Sequence, residues 1–130
     1  MHSETVTVVI PTSKSAVFNY IADPANMPEW AIEFCQAIKK ENGIYKAVTP
    51  MGEMIINIES NEATGVIDVF ASTDGKSDFP LATRVLNLPD GQVAYTATFF
   101  QESGVPDEVY RQQLGSLRKE MDNMKSLFTH

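Results

Sequence analysis

The sequence predicts an α+β domain: one strand, two short helices, six more strands, then one long C-terminal helix. Three observations carry this prediction. Between residues 32 and 101 the apolar residues alternate with a period of two, and the runs are separated by short turns rich in Gly, Asn, Asp and Pro, which is how an antiparallel meander is written. Helical spacing is confined to a short stretch near the start and a long one at the end. The 130 residues suit a single domain spanning 1–130, with no repeat, linker or low-complexity stretch to divide it.

Taken in order, "ETVTVVI" (4–10) alternates Thr with Val and Ile as a first strand, and Pro11 stops it. Ser13 is placed to cap a helix over "KSAVFNYIA" (14–22), whose Val17, Phe18 and Ile21 share one face. Pro24 ends that helix, because the residue before a proline is pushed out of helical geometry. "PANMPEW" (24–30) then supplies a stiff second short helix ending in the only tryptophan, Trp30. "IEFCQAIKKE" (32–41) places Ile32, Phe34 and Ile38 on one strand face, and Asn42-Gly43 is a hairpin signal. "IYKAVT", "EMIINIES", "VIDVFAST", "FPLATRVLNL" and "QVAYTATFFQ" follow as strands, with turns at "NEATG", "DGKSD" and "PDG". In the last segment Tyr110, Leu114, Leu117, Met121, Met124 and Phe128 recur at steps of four and three, one apolar stripe on a helix of about 30 Å. Asp107 and Glu108 in its first turn suit the helix dipole.

Composition excludes several classes of function. The formal net charge of -7 argues against a nucleic-acid partner, which needs a basic face, and against adhesion to an anionic membrane. Cys35 is the only cysteine and the two histidines, His2 and His130, are terminal, so a Cys/His metal site and a His-based triad are both disfavoured. No metal and no cofactor is expected. No apolar run approaches a membrane span, and no basic start leads into an apolar core, which points to the cytoplasm.

Several stretches together, in this order and spacing, carry a resemblance: "VFNYIADPANMPEW" (17–30), "TPMGE" (49–53), "GVIDV" (65–69), "RVLNLPDG" (84–91) and "VPDEVY…LGSLRKEMDNMKSLF". Across nearly its whole length the chain resembles the helix-grip superfamily of START domains and birch-pollen allergens, and within it the polyketide cyclase/dehydrase group. The resemblance implies seven antiparallel strands curled around the long C-terminal helix, the small helices closing one end, and a cavity between sheet and helix. It also implies a hydrophobic or aromatic small-molecule ligand, and in some members cyclisation or dehydration. "PANMPEW" would be the closing helix, with Trp30 either an apolar plug where the helices meet the second strand or, where it touches ligand, part of a lid with Met27.

The residues themselves offer two kinds of site. Met54 and the helix stripe of Tyr110, Leu114, Leu117 and Met121 are candidates for an apolar ligand wall, since methionine adapts to irregular shapes. Core filling accounts for the same residues equally simply. The polar candidates are Asp68 and Arg84, expected to face each other across a hairpin centred near Lys76, with Asn57 and Thr96 extending a polar belt over four strands. A carboxylate beside a guanidinium could orient a ligand carbonyl or hydroxyl. The opposite sheet face, with Ile56, Ile67, Val69, Val85 and Tyr95, is by patterning the better core, so either face could look inward and the other serve contact between two copies in a homodimer. Three readings follow: a small-molecule binding protein; a cyclase, aromatase or dehydratase using Asp68, Arg84 and a tyrosine such as Tyr95; or an interaction module gripping a protein segment.

Overall fold

The computed structural model describes residues 1–77 and 79–129; Asp78 of the "DGKSD" turn and the terminal His130 lie outside the described residues. The strands are β1 (Ser3–Ile10), β2 (Ala37–Glu41), β3 (Ile44–Thr49), β4 (Gly52–Asn61), β5 (Val66–Ser72), β6 (Leu81–Asn87) and β7 (Val93–Phe100). The helices are α1 (Lys14–Ala22), α2 (Met27–Trp30), which follows a 3-10 turn at Pro24–Asn26, and α3 (Asp107–Leu127). The seven strands form one antiparallel sheet in the order β1-β7-β6-β5-β4-β3-β2, so every neighbour but the β1–β7 pair is consecutive in sequence. The sheet is curled, and α3 packs in its concavity.

Local chemistry sets these elements as the sequence predicts. The Ser13 hydroxyl accepts the Ala16 N–H at 3.2 Å to start α1, and Val17, Phe18 and Ile21 are its buried face. Asp23 ends α1 and caps the next turn by accepting the Ala25 N–H at 3.0 Å. Asn42 and Gly43 both take positive φ in the tight β2–β3 turn, the conformation that makes Asn-Gly a hairpin signal. Along α3, Tyr110, Leu114, Leu117, Met121 and Met124 are all buried.

Two expectations fail locally. The second strand begins at Ala37, not at residue 32, and the chain from 31 to 36 is irregular. Ile32, expected in the core, is 49% exposed, while Cys35 is buried. The cause is polar: the Glu33 and Phe34 N–H groups, which a ladder would need, are taken by a side chain of α3.

The second correction concerns register. Asp68 lies opposite Ala82, and Arg84 opposite Val66, so the expected Asp68–Arg84 pairing is displaced by two residues. β6 starts only after Pro80, with Leu81 beside Val69, and the Val85 N–H donates to the Gly65 carbonyl at 2.8 Å, anchoring the other end of the pair. A slip of two keeps every side chain on its original face. Ile67, Val69, Thr83, Val85, Tyr95 and Ala97 point toward α3, and Asp68 and Arg84 point away from it.

Candidate functional site

The interior between sheet and α3 is lined mainly by apolar side chains. Met27 and Trp30 of α2, Ile56 of β4, Tyr95 of β7, and Leu114, Leu117, Met121 and Met124 of α3 join one buried cluster. The sequence-predicted Met27, Trp30, Tyr110, Leu114, Leu117 and Met121 are thus brought together, and Met54 is half-buried on the same sheet face. Met51 stands in solvent. Two open surface hollows, each of about 320 Å³, lie elsewhere: one beside Met1 and residues 101–105, the other bordered by Asn57, Glu59, Phe70 and Gly75.

Asp68 and Arg84 stay apart from this interior. Arg84 is exposed and its Nε donates to the Thr64 carbonyl at 3.0 Å. Thr96 does lie opposite Arg84, but Asn57 is opposite Phe70, and Glu59 is the residue beside Asp68. The belt therefore breaks into separate surface groups. The same outer face carries Phe79 packed edge-on against Phe100, ring centres 6.0 Å apart.

Polar groups nevertheless occur inside, and one of them was not foreseen. Glu120 of α3 is only 5% exposed. Its Oε2 accepts the N–H of Phe34 at 2.9 Å and of Glu33 at 3.1 Å. Burial holds this carboxyl above the ordinary glutamate range, while those two N–H bonds pull it down and the neighbouring Glu33 charge pushes it up. Around it the α2–β2 segment is fastened to α3 by polar contacts. The Ser116 hydroxyl bonds to Glu33, Lys119 Nζ lies 3.4 Å from Glu33, and Asn123 Nδ2 donates to the Glu29 and Trp30 carbonyls at 2.9 and 3.2 Å. The sequence held a signal for Glu120: it stands three residues after Leu117 and four before Met124, on the buried face of the helix.

Among the described residues, two buried donors lack a partner: Trp30 Nε1 and the Tyr95 hydroxyl. Tyr95 is 1% exposed, and burial pushes its phenol up to about 12; Thr83 draws it down, and the Glu120 charge adds to the rise. The Thr83 hydroxyl gives its proton to the Ile67 carbonyl at 2.6 Å; it lies near enough to Tyr95 to lower its pKa, but not in the geometry of a hydrogen bond with it. Two further tyrosines, Tyr110 and Tyr20, are satisfied. Tyr110 donates to the Phe99 carbonyl at 2.7 Å and stacks on that ring, and Tyr20 donates to Glu29 at 2.9 Å. Cys35, close enough to Glu120 to feel its charge, has its thiol raised to about 11, chiefly by burial, and so is not an activated nucleophile.

Chain order, sheet order and the buried helix together decide the architecture, and solved structures agree with it. The chain has the START/birch-pollen-allergen helix-grip fold. XoxI from Bacillus cereus is similar over 98% of this chain and 96% of its own at 17% identity, TM-score 0.73. A START superfamily protein from Mycobacterium smegmatis matches over 99% and 100% at 13% identity, TM-score 0.67. Ara h 8.0201 matches over 98% and 97% at 16% identity, TM-score 0.64. No protein-family model and no curated protein sequence matches the chain. No helix among the described residues is long and apolar enough to cross a membrane.

Proposed function

We propose that this helix-grip protein is a cytoplasmic binding protein for a hydrophobic or aromatic small molecule, held between the sheet and α3. The observation that carries the reading is the set of methionines at that place: Met27, Met121 and Met124 are all buried against the apolar sheet face. Unbranched, polarizable side chains with three rotatable bonds can repack around an apolar guest, where branched residues would clash. A lone buried cysteine and no disulfide suit a reducing compartment.

The cyclase or dehydratase reading keeps only Tyr95 of its three residues in the interior, since Asp68 and Arg84 point outward. Binding is therefore the function put forward, ahead of catalysis or the gripping of a protein segment. Native mass spectrometry of freshly purified protein tests it. The expected result is an added mass that organic solvent extracts as a small apolar compound. Uniformly unliganded protein that also fails to take up added polycyclic aromatics would overturn the reading.

A further inference from the structure

Sealing a polar group without a partner is costly, and native folds keep few such groups. Among the described residues, two side-chain donors, Trp30 Nε1 and the Tyr95 hydroxyl, are left so within the interior that the proposed function assigns to a ligand. An indole N–H can only donate, and a phenol with its proton in place donates readily. Both therefore call for a hydrogen-bond acceptor that the protein does not supply. Charge narrows the acceptor further. None of the Lys and Arg residues is buried, whereas Glu120 is, and it lies close enough to Tyr95 to act on its phenol. An anionic ligand group would meet no cation there and one carboxyl.

From these observations we infer that the bound molecule is apolar with a neutral carbonyl-type acceptor, a ketone or ester oxygen, received by the Tyr95 hydroxyl and Trp30 Nε1, and that it is not a carboxylate. This rests on the small-molecule reading above and gives it a ligand class. Hydrocarbon surface provides the bulk of the binding, and the two donors choose among apolar molecules. A site that satisfies buried donors discriminates strongly against an analogue that leaves them empty.

The test uses two probes of nearly one shape, fluorenone and fluorene, which differ by C=O against CH2, and a third, fluorene carboxylate. Water solvates the carbonyl better than the methylene, so plain apolar burial ranks fluorene first. The donors reverse that order. Fluorenone is expected to bind about tenfold tighter than fluorene, as one well-made hydrogen bond to a sealed donor provides, and the carboxylate no better than fluorene. In Tyr95→Phe the preference for fluorenone should fall to about threefold or less while fluorene affinity is kept. The single Trp30 indole N–H resonance should move further downfield with fluorenone than with fluorene, a readout that needs no substitution at Trp30. Equal binding of the two neutral probes, an unchanged preference in Tyr95→Phe, or tightest binding of the carboxylate overturns the inference and leaves the apolar-ligand reading standing. Binding of none of the three overturns both.

Discussion

Glu120, in the middle of the long helix, accepts the Phe34 backbone N–H at 2.9 Å, and this contact replaces the ladder bond that a longer second strand would have made. A buried carboxylate in that position is held by dipoles and not by a cation. Lys119, its neighbour in the helix, is exposed and reaches Glu33 instead.

The pH dependence of stability follows from that placement. Because the folded state raises the Glu120 pKa above its unfolded value, the native protein binds more protons, and stability falls as pH rises from the ordinary glutamate range through the folded value. Glu33, Glu41, Asp90 and Asp107 are shifted down and act oppositely at lower pH, so the comparison must be with a variant. Glu120→Gln keeps an acceptor for the two N–H groups and removes the charge. Its melting temperature relative to the natural protein should be higher at pH 7 than at pH 4. A difference that is flat, or that rises toward acid, would show that the carboxylate is not strained by burial.

Two tyrosines should respond to the same substitution with different signs. Tyr110→Phe removes a 2.7 Å bond and leaves the Phe99 carbonyl without it, at a cost of about 1 kcal/mol. Tyr95→Phe removes a hydroxyl that has no partner, so unfolding in urea should show no loss, or a gain of about 1 kcal/mol. Equal losses in both variants would mean that Tyr95 has a bond partner in solution.

Gly65 and Gly43 separate backbone freedom from close approach. Both have φ of +79°, which costs an alanine about 1–2 kcal/mol. A Cβ on Gly43 meets nothing within 4 Å, whereas on Gly65 it would stand 2.0 Å from the Val85 carbonyl oxygen. Since Val85 also donates its N–H to Gly65, β6 would have to move away from β5. Gly65→Ala should therefore destabilise by more than about 2 kcal/mol, and Gly43→Ala by about 1–2 kcal/mol. Denaturant melts of the two variants check the contrast.

What the sequence made legible was periodic. Ile67, Val69 and Val85 against Asp68 and Arg84 state which strand positions share a face, and Leu114, Leu117 and Met121 state a helical stripe. Register was not legible across the β5–β6 hairpin, because Asp68 opposite Ala82 and Asp68 opposite Arg84 give the same face pattern; backbone bonding at Gly65 and the start of β6 after Pro80 decide between them. Nor was the 31–36 segment, where apolar alternation in "IEFC" suggests a strand. A carboxylate 86 residues away overrides that local pattern. The interior polar groups were half visible: Tyr95 by its place in the strand, Glu120 only by its spacing on the helix.

The outer position of Asp68 and Arg84 yields the last prediction. Arg84 makes one solvent-exposed bond to the Thr64 carbonyl, and no ion pair joins the two residues among those described. An exposed Arg84 and a half-buried Asp68 on the outer face contribute within about 0.5 kcal/mol either way. Asp68→Asn and Arg84→Met should thus leave stability and the fluorenone-over-fluorene preference unchanged, while Tyr95→Phe reduces that preference. Isothermal titration of the three variants side by side makes the comparison. A fall in fluorenone affinity of tenfold or more in Asp68→Asn or Arg84→Met, with stability unchanged, would move the ligand to the outer face of the sheet and away from α3.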